Sequence, residues 1–234
     1  MCQDRATVPV HILYLLIMLN FLNNYLSEFA ELLYDQHEKI CYLLIYKNGT
    51  RSLVDLHTND PSRYKHYLGN NPKNFIKEYN ISTVTIFVRD PIARFLSGLY
   101  TQSYIYGMSI DKVAKDFNKD NDVRFFDAHT IPQFWFLLRF SNQCPTTLLN
   151  IVDFSELKKI VKSQLNRSLI KYNINIFNDT VRNKIDHYYT EDIVLYNQFI
   201  NSTVTIDQII KKIKLEKNFV NDILQYNWYN KIYT

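Results

Sequence analysis

The sequence predicts an α/β fold in which a central parallel sheet is covered by helices, and three observations carry that prediction. Short apolar runs rich in strand formers recur at Ile40 to Tyr46 (ICYLLIY), Ser82 to Val88 (STVTIFV) and Leu148 to Val152 (LLNIV). Each run is closed by a turn and followed by a helical pattern, the order that builds parallel strands. The 234 residues are 47% hydrophobic and 21% charged, which fits one packed domain and excludes a disordered chain.

The elements follow in chain order. Val8 to Leu22 (VPVHILYLLIMLNFL) is strongly apolar but shorter than the roughly 20 residues that a membrane span needs. A cleavable leader is disfavoured, because Asp4 offsets Arg5 and Asn23-Asn24-Tyr25 follow the apolar run. Apolar residues continue at Tyr25, Phe29, Leu32 and Leu33, with Glu28 and Glu31 between them. That spacing is helical, so residues 1–37 read as an apolar helical segment packed on a domain of residues 38–234. A peripheral membrane contact through residues 8–22 is the alternative reading.

Ile40 to Tyr46 reads as a strand buried on both faces, broken by Lys47-Asn48-Gly49-Thr50, with a helix beginning around Ser52 to Leu56. Ser82 to Val88 is the second buried strand. Asp90-Pro91 then offers an N-cap and a proline at the first helical position. The helix runs through Phe95, Leu96 and Leu99 to about Tyr106, and Gly107 stops it. After the strand Leu148 to Val152, Ser155 is the expected cap of a helix carrying Glu156, Leu157, Ile160 and Val161. No repeat or low-complexity linker interrupts the chain.

Composition excludes several classes. The four glycines, Gly49, Gly69, Gly98 and Gly107, are scattered, so neither a G-x-G-x-x-G loop nor a Walker loop is present. The net charge is +4 with no run of five or six like charges, so nucleic acid is not an expected partner. Cys2, Cys41 and Cys144 build neither a disulfide framework nor a C-x-x-C zinc site, and no metal-spaced His/Cys/Asp cluster occurs. Asn80, Asn166, Asn178 and Asn201 head N-x-[ST] tripeptides, which an Asn-rich chain acquires by chance.

In parallel α/β folds ligands collect at the carboxyl ends of strands. Two turns there carry chemistry. The first is Tyr46-Lys47-Asn48-Gly49-Thr50-Arg51-Ser52, whose amides at a helix start suit a phosphate or sulfate, with Lys47 adding a point charge. Thr50, Arg51 and Ser52 add further donors. The second is Val88 to Ser97 (VRDPIARFLS). Arg89 leaves the strand end, and Asp90, Arg94 and Ser97 fall at i, i+4 and i+7 on one helix face. An arginine at a strand end and a serine on the next helix can grip one phosphate from two sides.

YKNGTRSL resembles the 5′-phosphosulfate loop of the sulfotransferases, and FVRDPIARFLSGLY resembles their 3′-phosphate motif, nearest to the Golgi-type carbohydrate sulfotransferases. Asp127-Ala128-His129-Thr130-Ile131-Pro132-Gln133 is similar to the family's His-x-x-Pro-Gln segment. Tyr188 to Tyr196 (YYTEDIVLY) is similar to its closing helix, and LLNIVDFSEL to its later strand-to-helix step. The resemblance spans about Ile40 to Phe199. Tyr46 stands where the family often carries proline, and Arg51 where a small residue is usual.

The resemblance implies a three-layer, P-loop-like fold. It further implies transfer of a sulfuryl group from 3′-phosphoadenosine 5′-phosphosulfate to an acceptor hydroxyl, on a carbohydrate by analogy, without a metal. Lys47 matches the lysine at the donor's bridging oxygen, and Thr50 and Ser52 match the 5′-phosphate ligands. Asn48, Gly49 and Arg51 would add backbone amides or flanking charge. Arg89 and Ser97 match the 3′-phosphate pair. Such chemistry rests on positioning and charge stabilisation, with a base within reach of the acceptor. His129 is the first candidate base; His57 is the second, with Asp55, His66 and Glu78 as further alternatives. Trp135 to Leu138 reads as core. Two other classes stay open: a P-loop kinase or NTPase, and a non-catalytic membrane-associated binding protein.

Overall fold

The computed structural model describes residues 30–105, 107–120, 129–161 and 174–216. Residues 8–22, Tyr106, Asp127 and Ala128, to which the sequence assigned roles, lie outside the described residues. Six strands form one sheet: β1 (Ala30–Asp35), β2 (Ile40–Leu43), β3 (Tyr64–Gly69), β4 (Thr83–Val88), β5 (Leu148–Asp153) and β6 (Ser202–Val204), in the order β3-β1-β2-β4-β5-β6. The helices are α1 (Thr50–Asn59), α2 (Pro72–Glu78), α3 (Pro91–Ile105), α4 (Ile110–Asp120), α5 (Gln133–Gln143), α6 (Leu157–Ile160), α7 (Asp179–Tyr188), α8 (Thr190–Phe199) and α9 (Ile206–Glu216).

The fold is α/β, but the sheet is mixed where the sequence predicted a parallel one. The three strands read from sequence, β2, β4 and β5, are mutually parallel and lie together at the centre. Around them, β1 pairs antiparallel with both β2 and β3, and β6 pairs antiparallel with β5. Ala30–Asp35 is therefore a strand, not the tail of an apolar helix. Leu32 and Leu33 are both fully buried but face opposite sides of the sheet, each in a different core cluster. Adjacent leucines fit a strand covered on both faces as well as they fit a helix. β3 and β6 are edge strands with polar, irregular sequences, which gives periodicity little to read.

Side-chain alternation divides the core in two. Cys41, Leu43, Ile45, Val84, Ile86, Val88, Leu149 and Ile151 face α2, α5, α8 and α9. Tyr42, Leu44 and Phe87 face α1 and α6 through Leu53, Leu157 and Val161. Val84, Ile86 and Val88 are fully buried, and each contributes about 1.5–3 kcal/mol by leaving water. A third cluster joins α3 to α4, α7 and Tyr189 through Phe95, Leu99, Phe117 and Val181. It holds α3 in place beyond the sheet edge of the candidate site.

The start of α3 follows its sequence: Asp90 Oδ1 accepts from the Ala93 amide at 2.7 Å, and Arg94 N donates to Asp90 O at 2.9 Å. After β5 the cap is Asp153, not Ser155. Asp153 Oδ1 accepts from Ser155 N at 2.7 Å, and one 3₁₀ turn (Phe154–Glu156) precedes α6. A carboxylate two residues earlier in the chain satisfies an orphan amide of the same turn. Among the described residues no helix is long and apolar enough to cross a membrane.

Candidate functional site

The strand β2 runs into residues 44–49 at the carboxyl edge of the sheet. Asn48 N donates to Ile45 O at 3.0 Å, closing a turn in which Lys47 has φ 68°. Gly49 follows with φ 83° and ψ 15°, and Thr50 opens α1. A left-handed residue followed by a helical one turns successive N–H groups to the same side. Among the described residues no acceptor faces the amides of Gly49, Thr50, Arg51 and Ser52, and the first turn of α1 carries no acidic side chain. Four amides without hydrogen-bond partners among the described residues thus lie at the start of a ten-residue helix, where the helix dipole is positive.

Gly49 is needed here by its backbone and by its packing. Its φ is unfavourable for any side chain, and a Cβ would lie 2.1 Å from Leu157 Cδ2. The loop therefore sits directly on α6. Thr50 Oγ1 donates to Ile45 O at 2.8 Å, so its hydroxyl fastens the loop. Lys47 Nζ reaches across to α3 and donates to Thr101 Oγ1 at 2.5 Å, while Thr101 Oγ1 donates to Ser97 O at 3.1 Å. Lys47, Ser97 and Thr101 thereby share one region. Ser97 and Thr101 are one helical turn apart, a spacing that would have pointed to Thr101 in the sequence.

The second turn leaves β4 beside the first. Arg89 stands half-buried at the strand end, with its guanidinium 5.4 Å from the centroid of the Phe154 ring on the turn after β5. Arg94, in contrast, is fully buried and turned inward. Its Nε donates to Tyr46 O at 3.1 Å and its Nη1 to Ile131 O. Burial pulls the pKa of this guanidinium down, with the charges of Tyr189 and Asp192 acting in the opposite sense. Arg94 is thus a clamp on the first loop rather than a ligand for an anion.

Gln133, at the start of α5, connects both turns. Its Oε1 accepts from Asn48 Nδ2 at 2.5 Å and from Arg89 N at 2.9 Å, and its Nε2 donates to Arg89 O at 2.8 Å. Asp192 of α8 caps α5 from below, accepting from Gln133 N at 2.6 Å and Phe134 N at 2.7 Å. Burial raises the pKa of Asp192, against the lowering effects of Arg94 and the two capped amides. Tyr189 Oη donates to Thr130 O, which fixes the segment before α5.

That segment carries His129. A Cβ on Gly98 would stand 2.3 Å from His129 O, so the missing side chain of Gly98 makes room for this backbone and lets it lie against α3. The His129 ring lies 5.3 Å from that of Tyr46, at the start of the loop after β2. The structure thus gathers Lys47, Asn48, Gly49, Thr50, Arg51, Ser52, Arg89, Ser97 and His129 around two adjacent turns. His57 does not join them. It lies seven residues beyond Thr50, about 10 Å further along α1, with Nδ1 2.9 Å from Tyr64 O and its ring against His66. His66 is itself bound to Glu31 at 2.9 Å, and Glu78 closes α2.

Ser52 and Asp55 line a cleft of about 640 Å³ on the α1 and α6 face, bounded by Tyr42, Asn59, Arg63 and Ile160. The His129 ring adjoins Tyr46, whose ring also lies 6.3 Å from Phe136, whereas Asp55 lines the cleft beside α1. Among the described residues no group of three His, Cys, Asp or Glu is placed to hold a metal ion. Comparisons with protein-family models, curated proteins and solved structures find no match.

Proposed function

We propose that this chain is a sulfotransferase with a P-loop-like phosphate cradle, moving a sulfuryl group from 3′-phosphoadenosine 5′-phosphosulfate to a hydroxyl, in the first instance on a carbohydrate. The observation that carries this reading is the pair of adjacent turns. Four amides without acceptors among the described residues face one spot with Lys47 beside them, and Arg89 and Ser97 stand on the next parallel strand and its helix. A donor with a 5′-phosphosulfate and a 3′-phosphate carries two anionic groups and so matches two anion-binding turns. An ordinary nucleoside triphosphate places its charge in a single chain.

Each residue then has a task. The amides of Gly49 to Ser52 hold the 5′-phosphate. Lys47 offsets the charge that builds on the bridging oxygen as its bond to sulfur breaks. Arg89 and Ser97 hold the 3′-phosphate, the guanidinium as a fork and the hydroxyl as a single donor. His129 takes the proton that the acceptor hydroxyl loses as its oxygen bonds to sulfur. Positioning and electrostatics supply the rate, because this transfer needs no covalent enzyme intermediate.

The test is transfer of radiolabelled sulfate from the donor to a panel of glycans, phenols and lipids. The wild type labels at least one acceptor class, with carbohydrate first, and Lys47→Ala loses about 10²–10³-fold in rate. Label in no acceptor overturns the reading. A donor-independent transfer of phosphate from ATP would put a kinase in its place.

A further inference from the structure

We infer that Gln133 is the positioning residue that holds the two anion-binding turns at a fixed separation, so that one nucleotide can engage both at once. The inference rests on the donor reading above. It comes from the hydrogen bonds of one fully buried side chain.

The orientation of the Gln133 amide is dictated by its surroundings. Its Nε2 faces the carbonyl oxygen of Arg89, which can only accept, and its Oε1 faces the amide of Arg89, which can only donate. A flipped side chain would set acceptor against acceptor and donor against donor. With Oε1 fixed, Asn48 must present Nδ2, which donates both to Gln133 Oε1 at 2.5 Å and to Phe87 O at 2.7 Å. Asn48 is buried between the loop and the end of β4, and its own amide closes the loop turn on Ile45. One side chain from α5 therefore locks both backbone groups of Arg89 and, through Asn48, the loop that carries Lys47.

Asp192 fixes Gln133 in turn, accepting from its backbone amide and lying 3.4 Å from Nε2. Each partner of Gln133 here is a backbone group or a buried side chain, so the separation of the turns does not rely on flexible surface contacts. Arg94 adds an independent tie from α3 to Tyr46 O, which limits how far the loop moves when Gln133 is changed. Removing Gln133 should thus loosen the spacing without releasing the loop. A loss of this kind weakens a ligand that spans both turns and leaves a ligand of one turn almost unaffected.

The experiment compares adenosine 3′,5′-bisphosphate with adenosine 5′-monophosphate by calorimetry, in wild type, Gln133→Met and Asn48→Ala. Gln133→Met keeps length and loses every hydrogen bond of the amide. Asn48→Ala cuts the links from the loop to Gln133 and to Phe87 O, and leaves Gln133 on Arg89 and Asp192. In the wild type the bisphosphate binds more tightly. In a folded Gln133→Met that advantage shrinks about tenfold or more while monophosphate affinity stays within about threefold. Asn48→Ala shows the same change in smaller measure and decides the matter if Gln133→Met does not fold. An unchanged ratio of the two affinities in the folded variants overturns the positioning role while leaving the donor reading intact. A wild type that binds both nucleotides equally, or neither, overturns the donor reading and this inference with it.

Discussion

Lys47 Nζ donates to Thr101 Oγ1 at 2.5 Å, joining the loop after β2 to the helix after β4. The contact fixes an ammonium beside the helix that carries Ser97, and in the proposed reaction that ammonium offsets charge on the leaving oxygen. Thr101→Val keeps the shape and removes the acceptor. Sulfate transfer should fall about tenfold through kcat, since the lysine stays present but is less well placed. Thermal unfolding should move little, because Thr101 is only half-buried and its loss costs about 1 kcal/mol.

His129 stands beside Tyr46 and Asp55 lines the cleft beside α1, which gives the two candidate bases different surroundings. His129→Ala should lower kcat by about 10²–10⁴-fold, and Asp55→Ala should leave it within about twofold. The reverse ranking in an acceptor-saturated transfer assay would move the acceptor to the α1 and α6 face.

Gly98 meets the backbone of His129. Gly98→Ala sets a methyl 2.3 Å from His129 O and 3.1 Å from Thr130 Cγ2, and neither the helix nor the segment held by Tyr189 can yield cheaply. Urea denaturation should show a loss of about 1–3 kcal/mol. Any remaining folded protein should show a lower kcat, because the same methyl displaces His129.

Asp35 gives the fold an acid-sensitive tie away from the site. Burial acts most strongly and raises its pKa, but Arg63, with Nη2 at 2.6 Å and Nε at 3.0 Å from Oδ2, and the amides of Glu38 and His37 together outweigh it. The net pKa lies below the usual carboxylate range. A lowered folded value means that this stability is complete above the unfolded value of about 3.9 and is lost as pH falls through the folded one. The denaturation midpoint should therefore fall across that acidic window. Arg63→Gln should flatten the fall and lower the midpoint at neutral pH.

The parts of this fold that sequence reveals are those with local causes. The central strands β2, β4 and β5 announce themselves as apolar runs, and Asp90-Pro91 announces α3 through cap chemistry. Strand β1 escapes because Leu32 and Leu33 satisfy a helical stripe and a doubly buried strand equally well. The residues of the anion loop and the Arg89 turn are legible as residue types at strand ends. What links them is not. Asn48 meets Gln133 across 85 residues, and Lys47 meets Thr101 across 54, distances at which no periodicity or motif carries information. Arg94 shows the same limit in another form: on a helical wheel it shares a face with Ser97, yet tertiary packing turns its guanidinium into the interior.

The central claim is that two neighbouring turns hold the two ends of one sulfuryl donor. Calorimetric titration with adenosine 3′,5′-bisphosphate, with ATP as comparator and Lys47→Ala/Arg89→Ala as control, tests it most directly. The account predicts saturable one-to-one binding by the wild type, tighter than ATP, and a loss of about 10²-fold or more in the double variant. Equal binding by the wild type and the folded double variant, or a preference for ATP, would contradict it.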